Sequence, residues 1–202
     1  MSSEVKKVAK SSERRAKIIA EARRVLLAEG YHQLSLRQIA ASLGVSVGNL
    51  QYYFPNKDDL IEAIITREID QSLDFAIGAE WDAADLQSST YTVVHAILMH
   101  HTTDAGQFYA IAEGLALHKP RFADLKSQGY NAVFEKVAAI VKLQRSDLAI
   151  ETRGELAAVL VALIDGASLQ VQFGKLAATE NAIAKLSNSI ARAMVQLVQH
   201  WD

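Results

Sequence analysis

The residue types best suited to chemistry in this chain are gathered in the run SVGNLQYYF, residues 46–54. On a helix opening at Val47, the side chains of Val47, Gly48, Gln51 and Tyr52 share one side, with Asn49 and Tyr53 at its flanks. Gln and Asn carboxamides can pair bidentately with an adenine edge, and a valine methyl can pack on the thymine methyl. Gly48 allows close approach to a groove, at a cost of roughly 1 kcal/mol of helix stability relative to alanine. Hydroxyls on Ser35, Ser46 and the two tyrosines, with the ammonium of Lys57, suit phosphate oxygens. Such contacts position a protein on a duplex without carrying sequence information.

Two short helices must hold this face in place. Ser35 reads as an N-cap followed by Gln38, a capping box, and Leu34 with Ile39 completes a hydrophobic staple. That helix carries Leu36, Ile39, Ala40 and Leu43 along one side and stops at Gly44. Ser46 then caps a second helix, with Val45 and Leu50 as its staple and Phe54 one turn on. Helices of about eight residues do not survive alone. They need each other and the helix before them, whose stripe is Ile18, Ala22, Val25 and Leu26, with Arg14, Arg15, Arg23 and Arg24 outside it. Two apolar-faced helices joined through a glycine turn form a helix-turn-helix. Asn56 reads as the N-cap of a long helix with Asp58 and Asp59 in its first turn. Its apolar positions are Leu60, Ile61, Ile64, Ile65, Ile69 and Leu73. Running to Gly78, it would be about 33 Å long.

The whole chain fits around this. It has 202 residues, half of them hydrophobic, two prolines and no cysteine. A disulfide framework, a thiolate metal site and a cysteine nucleophile are therefore excluded. The N-terminus lacks the apolar run of a secretory signal, and no membrane span is expected, which points to a cytoplasmic protein. Net charge is -2, unevenly shared: residues 1–57 carry a local net of +6 and the remainder -8. A basic end suits a polyanion while the acidic remainder stays off it. Further helices are expected over 88–101, 104–117, 121–144, 152–175 and 181–201. The fold class is all-α, an N-terminal three-helix bundle with the helix-turn-helix followed by a larger C-terminal helical bundle. Residues 1–11 read as a flexible basic tail, 12–56 as the DNA-binding domain and 57–202 as the C-terminal domain.

The stretch SLRQIAASLGVSVGNLQYYFPNKDDLIEAI resembles the DNA-binding signature of the tetracycline-repressor (TetR) family. The likeness covers roughly residues 13–65: an alanine-rich helix ending in glycine, Leu-Arg-x-Ile-Ala, Gly-Val-Ser, Gly-x-Leu, Tyr-Phe and Lys-Asp-x-Leu. It departs where many members have a tyrosine directly after the helix leucine and this chain has Gln51. The resemblance implies a homodimeric transcription regulator, usually a repressor, and no enzyme, metal or cofactor. Its operator is double-stranded and palindromic, and a small effector in the C-terminal bundle changes the spacing of the two reading heads. The DNA-contacting positions it implies are Ser35, Arg37, Ser46, Val47, Gly48, Asn49, Gln51, Tyr52, Tyr53 and Lys57. A helical protein-interaction module without sequence-specific DNA binding is the alternative.

In the C-terminal half, Ile183, Leu186, Ile190, Met194, Leu197 and Trp201 form a nearly heptad stripe. Leu156, Leu160 and Leu163 offer another on the preceding helix. Spacing alone leaves internal core and dimer interface open, and the resemblance implies that these helices pair with their symmetry mates. Aromatic and polar residues of the middle helices, Trp81 and His95 among them, are candidates for an effector pocket or for plain core. The selected lining is Met99, Tyr109, Glu113, Phe122, Tyr130, Phe134, Asp165 and Gln172. Glu113 and Asp165 stand out because each lies in an apolar helix, where an unpaired buried charge is costly. His95, His100 and His101 do not share a helical face and do not read as a metal site.

Overall fold

The computed structural model describes residues 3–77, 84–173 and 179–201, and among them there are helices and no strand. They are α1 (Ser3–Gln33), α2 (Leu36–Ser42), α3 (Val47–Tyr53), α4 (Lys57–Ile77) and α5 (Leu86–His101). Then follow α6 (Asp104–His118), α7 (Pro120–Gln144), α8 (Ile150–Phe173) and α9 (Glu180–His200). The expected elements are all present. Gly78, Trp81 and the end of the 152–175 helix lie outside the described residues. The chain forms two compact units, Met1–Asp70 and Gln71–Asp202, and α4 belongs to both.

The first unit is built on the anticipated stripe. Ile18, Ala22, Val25 and Leu26 meet Leu34, Ile39, Leu50 and Phe54, and Leu60, Ile61, Ile64 and Ile65 of α4, none more than 2 % exposed. Burial of such side chains contributes roughly 1.5–3 kcal/mol each, so two seven-residue helices persist despite costly nucleation. This core also explains why the unit continues to Asp70 and not only to residue 56: the first turns of α4 complete it. α1 kinks at Gly30, whose φ is 81°.

Two expectations differ. Residues 3–11 continue α1 as helix and do not form a separate flexible tail. The run 3–29 contains neither Gly nor Pro and is rich in Ala, Lys, Arg and Glu, all good helix formers. A Glu13–Lys17 pair at 2.7 Å supports it at i,i+4 spacing. Arg23, placed outside the apolar stripe, turns inward: its Nε and Nη2 donate to Glu68 Oε1 and Oε2 at 2.8 and 3.1 Å, clamping α1 to α4. Glu68 is only 6 % exposed, and a bidentate guanidinium satisfies both its oxygens.

In the second unit α5 packs on α9 and α8, and α7 packs on α8 and α6. Val94, Leu98, Val141, Leu156, Leu160, Val171, Ile183, Met194 and Val198 share one core. Four residues expected at a dimer interface, Leu156, Leu160, Ile183 and Met194, are therefore inside this chain's own fold, at most 8 % exposed. Leu163, Leu186, Ile190, Leu197 and Trp201 are partly buried against the same core. Arg145 Nη1 closes the end of α9, donating to the carbonyls of Val198, Gln199 and Trp201 at 3.0, 3.4 and 3.2 Å. These are among the terminal carbonyls that a helix leaves unpaired.

α8 also corrects the sequence expectation on membranes. By length and composition it is apolar enough to cross a bilayer. One side, from Leu156 to Val171, is buried in the unit's core, and the other shows Ala158, Val159, Ala162 and Leu169 to solvent.

Candidate functional site

The turn between α2 and α3 is set by backbone geometry. Gly44 has φ 65°, a left-handed conformation that costs other residues. Its N–H donates to Ala41 O at 3.2 Å, and Val45 N–H donates to Ala40 O at 2.9 Å. This double bond pattern is a Schellman motif. Ser35 and Ser46 both cap as expected, accepting from the N–H of Gln38 at 3.2 Å and of Asn49 at 3.1 Å. Gln38 does not use its side chain as a capping box would, since its Nε2 donates to Glu29 Oε2 at 2.8 Å, a charged acceptor. Asn56 caps α4, accepting from Asp59 N–H at 2.9 Å.

With Leu50 fully buried and Phe54 2 % exposed, α3 turns its other side outward. Gly48, Asn49 and Gln51 are exposed, Val47 and Tyr53 are half-buried, and Tyr52 is 81 % exposed. Tyr52 meets Tyr53 edge-on at 5.2 Å. Ser35, Arg37 and Ser46 are exposed as well. Lys57 is half-buried: its ammonium donates to Tyr31 O and lies 3.9 Å from the Tyr31 ring centroid. Tyr31 in turn donates to Asp58 at 2.8 Å, so the residue following the α1 kink anchors the start of α4. The guanidinium of Arg15 sits 5.0 Å from the Phe54 ring. These contacts fix α3 against its neighbours and leave its outward side free of packing.

In the second unit the proposed pocket residues divide. Tyr109, Glu113, Tyr130, Phe134 and Asp165 join one half-buried cluster, while Phe122 is fully buried core and Met99 packs on the core from its edge. Tyr130 OH donates to Asp165 at 2.9 Å, and Lys126 donates to Glu113 at 2.8 Å. Tyr130 stacks on Phe134 at 5.7 Å, and His101 stacks on Tyr109 at 5.1 Å. Gln172 lies beside a cavity of about 360 Å³ lined by His101, Thr103, Gly106, Ala110 and Phe173. Burial pushes the carboxyl of Asp165 and the phenol of Tyr130 up, and holds the imidazole of His101 below its ordinary value.

Lys126 and His101 are members that the sequence reading did not select. For Lys126 a signal was present: residues 126, 130 and 134 recur at i, i+4 and i+8 on one face of α7. His95 is remote from this cluster, stacking on Tyr91 and meeting Ser187 at 3.3 Å. Among the described residues no group of three or more His, Asp or Glu is placed to hold a metal.

A small helical unit in which a capped, glycine-turned helix pair shows Asn, Gln and Tyr to solvent is a helix-turn-helix domain of the DNA-binding type. Residues 18–64 match the family model of the bacterial regulatory proteins of the tetR family. Through this unit the chain belongs to the tetR family. It is 34 % identical over 59 residues to the HTH-type transcriptional regulator UidR of Escherichia coli, 29 % of this chain and 30 % of that relative's length. Folds are similar over nearly the whole chain. A TetR-family regulator structure from Mesorhizobium loti aligns with a TM-score of 0.78 at 14 % identity, covering 93 % of this chain and 97 % of its own. Salmonella enterica GusR aligns at 0.74 and 18 % identity, covering 92 % and 95 %. A transcriptional regulator from Saccharomonospora viridis, crystallised with choline, aligns at 0.67 and 22 %, covering 94 % and 97 %.

Proposed function

We propose that this protein is a cytoplasmic transcriptional regulator that binds a palindromic double-stranded operator as a homodimer. A small effector entering the second unit releases it from DNA, so that it acts as a repressor. The observation that carries the DNA reading is the exposed, unpacked face of α3, with Gly48, Asn49, Gln51 and Tyr52 on a helix whose other side is locked into the core. The net of +6 over residues 1–57 supports it, since phosphate contacts account for non-specific affinity. Effector response is supported by the cavity beside the cluster of α5 to α8 and by the choline found in a regulator of similar fold. α4, shared by both units, is the proposed lever.

The dimer surface is assigned to the outer side of α8. Ala158, Ala162 and Gly166 repeat every fourth residue there, flanked by Val159 and Leu169, at 37 % and 47 % exposure. Small residues at this spacing let a partner helix approach, and apolar flanks supply the area. The partly buried Leu186, Ile190 and Leu197 of α9 extend it.

Fluorescence anisotropy tests the proposal, comparing duplex from the adjacent upstream region with a scrambled duplex of equal length over a salt series. Selective binding that weakens steeply with salt is the expected result. No binding to either duplex at low salt would turn the reading to a protein-interaction module.

A further inference from the structure

The cluster in the second unit has a one-sided chemistry. Lys126 and Glu113 neutralise one another at 2.8 Å, which leaves the charge of Asp165 over. A carboxylate offers about four lone-pair positions, and the Tyr130 hydroxyl occupies one of those on Asp165. His101 Nδ1 lies 2.9 Å from Ile97 O, an acceptor, so this nitrogen carries the proton and Nε2 is left as an acceptor. Gln172 spends its Nε2 on Gly106 O at 3.0 Å and retains its Oε1. The groups left over are therefore acceptors, together with the faces of Tyr109, Tyr130 and Phe134.

Two further observations place a ligand with these groups. The cavity of about 360 Å³ is within the range that takes small molecules, and His101 belongs to both cavity and cluster. On α8, Ser168 sits between Asp165 and Gln172 at i, i+3 and i+7. It is 4 % exposed, and its hydroxyl has no hydrogen-bond partner among the described residues. One ring also shows its affinity for positive charge: the Lys126 ammonium lies 5.3 Å from the centroid of Tyr130.

We infer that the second unit binds an organic cation, an amine with an apolar body, whose charge is met by Asp165 and by the aromatic faces beside it. This rests on the reading that this unit takes an effector, and it names the chemical class. An ammonium supplies the donors that the site lacks, and its charge balances the residual carboxylate. A carboxylate ligand would face Asp165 with no free donor but the remaining protons of Lys126.

The test uses the full chain and three probes of one shape: phenethylammonium, phenethyl alcohol and phenylacetate. Thermal midpoints and calorimetric affinities are measured for each. Phenethylammonium is expected to bind most tightly and phenylacetate least. Asp165→Asn, which keeps an acceptor for Tyr130, should weaken the ammonium about tenfold, the factor expected for losing one charge-assisted contact, and leave the alcohol unchanged. Should Asp165→Asn not fold, Glu113→Gln tests the same charge balance. Tyr130→Phe should retain the ammonium.

Equal or tighter binding of phenylacetate, no binding of the ammonium at millimolar concentration, or an Asp165→Asn affinity equal to the parent's would overturn the inference. Operator anisotropy with each probe separates the two readings. Ammonium binding without release from DNA supports the cation site and counts against effector-driven release. Release by phenylacetate alone leaves the regulator standing and overturns the cation.

Discussion

Tyr52 projects from α3 with 81 % of its surface in solvent, while Leu50, two residues before it, is fully buried. An exposed tyrosine of this kind has no packing role, so replacing it should leave the fold intact and reveal what its ring meets. For Tyr52→Ala we expect operator affinity to fall by about 1–3 kcal/mol with altered base preference, as for a side chain facing base edges. Uniform weakening across operator variants would assign it to phosphate instead. Lys57→Ala should weaken all sequences alike and reduce the salt slope by about 1. Lys57 also holds Tyr31 through its carbonyl and ring, so a denaturation curve must accompany the binding curve.

At the scale of elements, stability rests on how the short helices begin, end and are clamped. An added Cβ at Gly44 meets nothing within 4 Å, so Gly44→Ala introduces no clash and tests the left-handed backbone alone. A loss of about 1–2 kcal/mol in a urea titration is expected. The Arg23–Glu68 clamp differs because Glu68 is buried. Glu68→Ala strands a guanidinium with 22 % side-chain exposure, and a loss of about 2–3 kcal/mol is expected, below the range for a fully buried pair. An unchanged midpoint would show that water repays the arginine. Of these features, the caps and the glycine stop were legible in the sequence because they depend on residues within one turn. The clamp was not, since residues 45 apart in sequence meet only after α1 and α4 have packed.

For the whole molecule, the acid side of the stability curve follows from groups in both units. Hydrogen bonds from Arg24 and Ser42 lower the Glu21 carboxyl from 4.5 to about 2. Its contribution is complete above pH 4.5 and is lost as pH falls toward 2. His101 is lowered from 6.5 by burial, so the folded state resists its protonation and stability declines as pH drops below 6.5. Asp165 has the opposite sign: burial raises it above 3.8, and its contribution is lost as pH rises through its folded value. Denaturation midpoints should therefore fall first through the histidine range, and His101→Gln should remove that early limb. A limb that persists in the variant would place the titration elsewhere.

The sequence by itself determined the helices, their caps and the surface of α3, for local reasons. Serine hydroxyls reach backbone N–H groups three residues away, a glycine after Leu43 admits the turn, and a 3.6-residue period states which side leaves water. It could not determine what lies on the other side of an apolar stripe. Leu156, Leu160, Ile183 and Met194 had the spacing of an interface, and the tertiary structure spends them on the core of their own chain. The side of α8 left over is the one without a strong stripe, which periodicity does not mark. Tyr130 with Asp165, and Lys126 with Glu113, join residues 35 and 13 positions apart. Only packing decides such pairings, because side-chain charge is compensated by whichever group is nearest in space and not in sequence.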